Sequence, residues 1–300
     1  LIKTNSVAVV RVRSRAPGWS AYLAARRTGC PLVTTFHGTY NEASRLKRLY
    51  NSVMTRGDRI IAVSDFIADH VRDGFDIDEA RLVTVRRGID LRRFDPNAVS
   101  AERMIQLSSA WRLPDGASVI MLPGRLTRWK GHMVMLEALK DIGRDDIFVL
   151  MIGDDQGRTD YRDELNAYIG RLGVGHRVRI IDDCRDMPAA YMLADVVVSA
   201  STDPEAFGRV PVEGQAMGRP VVATRHGGAK ETVADGVTGW LVQPNDSKAL
   251  AWGIRSALDL PADQRAVMAE AARSWVEDRF AVDRMCAQTL DIYRSLMTDP

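Results

Sequence analysis

The chain has 300 residues, 46% of them apolar and 27% charged, with a formal net charge of +2. That length accommodates one large or two medium domains with a sizeable core. The basic residues carry no interleaved aromatics and match no recognition motif, which argues against a nucleic-acid partner. The charge is uneven: residues 1–100 hold 17 Lys and Arg against 10 Asp and Glu, and residues 101–300 hold 24 against 29. A basic first third suits an anionic substrate or an anionic membrane surface, or simply solvates helix faces. Cys30, Cys184 and Cys286 lie far apart and match no metal-ligand spacing, so free thiols in a reducing, cytoplasmic setting are expected. No apolar run approaches a membrane span. The chain begins with Leu1 and enters a strand almost at once, without a charged-then-apolar leader; an amino-terminal piece is expected to precede it.

Short β-rich runs alternate with helical stretches along the chain. Val7–Arg11, Leu32–Phe36, Arg59–Val63 and Leu82–Val85 read as strands, with helices expected at 18–28, 41–56 and 65–73. Turn formers at Asp95-Pro96 and Leu113-Pro-Asp-Gly116 bracket a short helix near 101–110 and mark 94–116 as a linker. A second strand set follows: Ser118–Leu122, Ile147–Ile152, Arg177–Ile181, Val196–Val198, Val221–Ala223 and Trp240–Val242. Such alternation predicts α/β architecture, two doubly wound Rossmann-like domains with parallel sheets covered by helices. The expected divisions are 1–93, the linker 94–116, 117–275, and a last helix over 276–300 packing back on the first domain. Ligand would sit in a cleft between the domains.

Three loops carry chemistry. Pro123-Gly124-Arg125-Leu126-Thr127-Arg128-Trp129-Lys130-Gly131 follows the first strand of the second set, and its cations Arg125 and Lys130 at a helix start can neutralise a diphosphate without metal. It lacks the Gly-Lys-Ser/Thr ending of a nucleotide-hydrolase phosphate loop, and no Gly-x-Gly-x-x-Gly appears. Glu205-Ala-Phe-Gly-Arg-Val-Pro-Val-Glu213 lies between two apolar strands. Its two carboxylates accept hydrogen bonds from hydroxyls, and its helix start welcomes phosphate. Gly227-Gly228 after the next strand allows backbone to approach a ligand closely. In the first domain His37-Gly38 ends a strand, where a cleft is expected. A glycosidase acid–base pair is the competing reading of the carboxylates. It has no need of Arg125 and Lys130 or of Gly-rich helix starts.

With these residues in view, the chain resembles a family 4, group 1 glycosyltransferase of the two-Rossmann-domain (GT-B) type. The resemblance rests on Gly124-Arg125-Leu126, Lys130-Gly131, Glu205 with Glu213, Gly227-Gly228 with Glu231, Ala62-Val63-Ser64 and Gly88-Ile89-Asp90. It covers most of the chain and is most specific over 118–245. It implies metal-independent transfer of a sugar, with retained anomeric configuration, from a UDP- or GDP-linked donor, and no other cofactor. The acceptor would be a hydroxyl of a glycan or lipid-linked molecule in lipopolysaccharide or polysaccharide synthesis. Carried over by position, Gly124, Arg125 and Lys130 would meet the donor diphosphate, Glu213 the ribose and Glu205 the transferred sugar. Phe207 and Gly208 would offer backbone N–H groups, and Gly227 and Gly228 would also lie against the donor. His37 would line the reaction centre, and Arg125, Lys130, Glu205 and His37 form the expected catalytic set. Asp183-Cys184-Arg185 is the expected base pocket. In this family the first domain opens with a strand and a glycine-rich loop, neither of which precedes Val7. The alternatives are a nucleotide-sugar epimerase on this scaffold, which needs no acceptor, and a non-catalytic nucleotide-sugar-binding subunit.

Two further features are specific to this chain. Arg11-Val-Arg13-Ser-Arg15 follows the first strand, and Arg13 and Arg15, with His37, are candidates for binding an acidic acceptor. The helix expected over 41–56 sets Leu46, Leu49, Tyr50, Val53 and Met54 on one stripe amid Arg45, Lys47, Arg48 and Arg56. That pattern fits either core packing or peripheral contact with an anionic membrane.

Overall fold

The computed structural model describes residues 1–40 and 44–298, and two compact units divide it. The first comprises Leu1–Gly88 and Phe280–Pro300, the second Ile89–Arg279. In the first unit the strands are β1 (Val10–Val12), β2 (Leu32–Phe36), β3 (Arg59–Ala62) and β4 (Leu82–Thr84). All pair in parallel, in chain order β1-β2-β3-β4, with no reversal among the described strands. The helices are α1 (Arg15–Thr28), α2 (Arg45–Asn51) and α3 (Asp65–Gly74), with a 3₁₀ turn at Ser52–Thr55. Every residue of β2 is buried, as expected of a parallel strand covered on both faces.

The helix expected over 41–56 is shorter than its pattern suggested. Residues 41–43 lie outside the described ones. From Ser52 the backbone tightens to three residues per turn, which rotates the later side chains off the earlier stripe. Val53 and Met54 enter the core, whereas Leu46, Leu49 and Tyr50 stay exposed.

The second unit holds α4 (Ala101–Trp111), β5 (Ser118–Pro123), α5 (His132–Ile142), β6 (Ile147–Ile152), α6 (Thr159–Leu172), β7 (Val178–Ile181) and α7 (Met187–Leu193). It continues with β8 (Val196–Ser199), α8 (Arg209–Ala216), β9 (Val221–Thr224), α9 (Ala229–Thr232), β10 (Trp240–Val242), α10 (Ser247–Leu258) and α11 (Ala262–Phe280). Its six parallel strands run β10-β9-β8-β5-β6-β7. The order therefore reverses between β5 and β8, paired through Ile120–Val196 and Met121–Val197. Open α/β sheets bind ligands at the carboxyl ends of strands beside such a switch point. Its core joins Ile120, Leu122, Val149, Val196 and Val222 from the sheet to Leu136 and Leu139 of α5 and Ile254 of α10.

The segment expected as a linker packs on this second unit. Arg103 of α4 donates to both carboxylate oxygens of Asp186, the N-cap of α7, at 2.7 and 2.5 Å. The last helix, α12 (Val282–Thr298), belongs to the first unit, where Ile292 joins Val33, Ile61 and Val85 in one cluster. Gly88 lies so close to it that a Cβ would fall 2.4 Å from Val282 Cα. No helix among the described residues is long and apolar enough to cross a membrane.

Candidate functional site

In the second unit, the loops leaving β5 and β8 meet at the switch point. The β5 loop turns at Gly124, runs through a 3₁₀ turn at Arg128–Lys130 and enters α5 at Gly131. Gly131 has φ +76, and a Cβ there would fall 1.9 Å from the Ala200 carbonyl oxygen, so only glycine lets the two loops touch. A backbone bond then zips them together: Thr202 N–H donates to the Trp129 carbonyl at 2.7 Å.

This zipper brings Lys130 and Glu205 together across 75 residues of sequence, Nζ donating to Oε1 at 2.7 Å. The side chains are only 12 and 15% exposed, so solvent screens the pair weakly. Ser201 Oγ also donates to Oε1, while Oε2 accepts no hydrogen bond among the described residues. One carboxylate oxygen is thus fixed by protein and the other is open to a ligand hydroxyl. Lys130 Nζ sits 4.3 Å over the Trp129 ring, which further limits its positions.

Glu213, on α8, is nearly buried and held at both oxygens. Tyr191 Oη donates to Oε2 at 2.9 Å and Arg209 to Oε1 at 2.6 Å. Burial, then the charge of Glu213, pushes the Tyr191 phenol well above its ordinary pKa, so the hydroxyl remains a donor. Each oxygen keeps a second lone pair for a hydroxyl. Phe207 is buried and Gly208, at φ +84, caps α8.

The other candidate donor residues make contacts within the protein. Arg125 is exposed and donates to Gln156 at 3.3 Å, not to the Glu205 cluster. Gly227 and Gly228 serve a protein approach: added Cβ atoms would fall 2.4 Å from the Glu205 carbonyl oxygen and 2.5 Å from Phe207 Cα. Gly228 N–H donates to that same carbonyl at 2.8 Å, so the paired glycines fix the backbone of the acidic loop. His226 adds a contact between its Nε2 and the Ser201 carbonyl oxygen at 2.8 Å. Asp183 and Arg185 follow β7, two strands from the switch point, and are largely exposed and paired with each other at 3.6 Å. Between them Cys184 is half-buried, which pushes its thiol up to about 11.

In the first unit His37 follows β2, and Arg13 Nε donates to its Nε2 at 3.1 Å. Burial, with the charges of Arg13, Arg87 and Arg11, lowers the ring's pKa to about 4, so the imidazole is neutral at neutral pH. Arg15 turns elsewhere: it donates to Asn51 at 2.9 Å and lies 4.5 Å from the Tyr40 ring centroid. Sequence reading missed Ser201, Tyr191, Trp129 and Arg209. Only Arg209, four residues before Glu213 on one helix, carried a local signal.

Glycosyl transferases group 1 match over residues 105–275, and Glycosyltransferase Family 4 over residues 1–93. A D-inositol 3-phosphate glycosyltransferase of Corynebacterium urealyticum is 33% identical over 88% of this chain, which spans 62% of that relative. One from Xylanimonas cellulosilytica is 32% identical over 95% of the chain, which spans 71% of it. Among solved structures, a glycosyltransferase from Rickettsia africae superposes with TM-score 0.94 at 37% identity, over 100% of this chain and 79% of that one. Anabaena HepE, solved in complex with UDP and glucose, superposes with TM-score 0.88 at 26% identity, over 98 and 79% of the two chains. These neighbours share the two-unit parallel α/β fold of the GT-B type. With a family match over more than half its length and relatives above 30% identity along most of it, the chain belongs to the group 1 glycosyl transferases.

Proposed function

We propose that this chain is a metal-independent, retaining glycosyltransferase. It moves a sugar from a nucleotide-diphosphate sugar to a hydroxyl of a glycan or lipid-linked acceptor, in the building of an envelope or exported polysaccharide. The observation that carries this reading is the Lys130–Glu205 pair at the β5/β8 switch point, with Glu205 Oε2 open. A cation beside an available carboxylate oxygen suits a ligand that carries phosphates and sugar hydroxyls together. UDP is the favoured nucleotide, because HepE is described with UDP and with UDP-glucose.

The roles follow from charge. As the bond from the anomeric carbon to the diphosphate oxygen breaks, negative charge grows on the leaving group and positive charge on the sugar. Lys130, with three N–H donors, holds Glu205 and a phosphate oxygen together, and Arg125 adds a second cation. Glu205 Oε2 accepts from a hydroxyl of the transferred sugar, and Glu213 from the ribose. Retention follows from attack on the face that the diphosphate leaves, the departing phosphate oxygen taking the acceptor proton. In the first unit, Arg13 beside neutral His37 suits an acidic acceptor. The name of the inositol-phosphate relatives is consistent with a phosphorylated polyol there.

The test is turnover of UDP- and GDP-sugars against lipid-linked and oligosaccharide acceptors, with and without EDTA. Nucleoside diphosphate release that survives EDTA, with a product of retained configuration by NMR, is expected. Donor binding without transfer to any acceptor would refute the enzyme reading, and loss of activity in EDTA would refute metal independence.

A further inference from the structure

The amino-terminal end of the first sheet, opposite the end that carries His37, holds a cavity of about 840 Å³. Six arginines line it: Arg26 from α1, Arg45 and Arg48 from α2, and Arg56, Arg59 and Arg81 from the segments leading into β3 and β4. Among the described residues, Asp58 and Asp76 are the carboxylates on its wall. Among the described residues none of the six arginines is ion-paired.

Neutral groups hold several of them in place. Arg81 donates to the Thr55 carbonyl at 2.7 Å and Arg48 to the Gly74 carbonyl at 2.7 Å. Arg56 lies over the rings of Trp19 and Tyr22, 5.2 and 5.4 Å from their centroids. Fixing guanidinium groups on carbonyls and rings leaves their charge uncancelled, and gathering them in one cavity builds a positive potential. The planar fork of arginine matches phosphate oxygens two at a time. Beside the cavity α2 exposes Leu46, Leu49 and Tyr50, of which Leu49 also lines it.

We propose that this cavity is a binding site for a phosphate-bearing anion, either a soluble phosphate compound or the headgroup of an anionic lipid whose chains the α2 leucines would meet. It is independent of the glycosyl-transfer reading, because it uses none of the residues assigned to donor or acceptor.

Arg26 and Arg45 line the cavity and make no hydrogen bond among the described residues, so Arg26→Ser with Arg45→Ser leaves the described contacts intact. Arg27→Ser with Lys47→Ser removes equal charge from the same two helices outside the cavity. The probes are inorganic pyrophosphate by calorimetry and phosphatidylcholine vesicles with and without phosphatidylglycerol by co-sedimentation, on the full chain at physiological salt. At least one probe should bind, at least tenfold more weakly in the cavity pair and unchanged in the control pair. Arg26→Lys with Arg45→Lys should recover part of that loss. Pyrophosphate taken up at Lys130 is unaffected by either pair. Vesicle binding that also falls with Leu46→Ser and Leu49→Ser identifies the lipid headgroup, and pyrophosphate binding indifferent to those leucines identifies the soluble anion. Equal weakening by the cavity and control pairs overturns the site in favour of diffuse charge, and so does the absence of binding by both probes.

Discussion

Lys130 Nζ and Glu205 Oε1 lie 2.7 Å apart, joining the loops that leave the two strands between which the sheet reverses. The two side chains neutralise each other where little water reaches. Removing one partner strands the other's charge, whereas removing both strands neither. Lys130→Ala alone should therefore destabilise the chain more than Lys130→Ala with Glu205→Gln. A coupling of about 1–3 kcal/mol is expected from urea unfolding of the four proteins, since the pair is mostly but not fully buried. Additive single effects would show that the contact does not hold the loops together. For turnover, Lys130→Ala should lower kcat on the order of 10²–10³-fold, as expected when a preorganised group facing developing charge is lost.

Tyr191 and Arg209 each satisfy one oxygen of Glu213. Tyr191→Phe removes a buried donor and leaves Oε2 to whatever water can enter, at a cost of about 1–2 kcal/mol in stability. If Glu213 holds the ribose, looser positioning should raise the donor KM several-fold and change kcat little. A fall in kcat at constant KM would place Glu213 in the chemical step instead.

Gly227→Ala forces a methyl against the Glu205 carbonyl oxygen, backbone on backbone, at a residue with φ +54. Neither side can yield by a rotamer change, so a loss of about 2–4 kcal/mol is expected. Donor affinity should fall with it, because Glu205 moves with its loop. Gly29→Ala serves as the comparison: φ is +70, but nothing lies within 4 Å of the added Cβ. Equal losses from the two substitutions would mean that left-handed strain alone, and not the contact with Glu205, sets the cost.

Alternation of β-rich and helical runs made the elements readable. β2, β6 and β10 span the expected 32–36, 147–152 and 240–242. β1 begins at Val10 instead of Val7, because Val7 N–H turns back to the Ile2 carbonyl and Ser6 takes φ +50. What alternation does not encode is strand order. That β8 lies beside β5 is settled by tertiary packing, so the pairing of Lys130 with Glu205 left no local trace, while Ser201, four residues before Glu205 in a loop, has no periodicity to mark it. The paired glycines show a second limit. Their pattern signals that something comes close, and here it is the acidic loop's own backbone; composition does not separate that from a ligand.

The last prediction concerns pH. His132 opens α5 fully buried, edge-on to Tyr161 at 5.8 Å between ring centroids, and neither ring nitrogen makes a hydrogen bond of ordinary geometry. Burial lowers its pKa from 6.5 to about 4; the Thr127 backbone pulls the other way, and the Lys130 charge adds a smaller lowering. The native chain thus keeps His132 neutral where the unfolded chain takes up a proton. Between pH 6.5 and 4 the unfolded state binds more protons, so stability falls as the pH drops through that window and is complete above it. From this one residue the loss amounts to about 2–3 kcal/mol at the acid end. His37, also lowered to about 4, titrates in the same window. Asp146, held near 2 by Arg144, adds its own loss only at lower pH. Urea midpoints measured from pH 7 down to 5 should therefore decline, and His132→Leu should decline less steeply than the parent. His132→Gln, which keeps a polar side chain of similar size, should show the same shallower slope. Parallel slopes in all three would place the acid sensitivity outside α5.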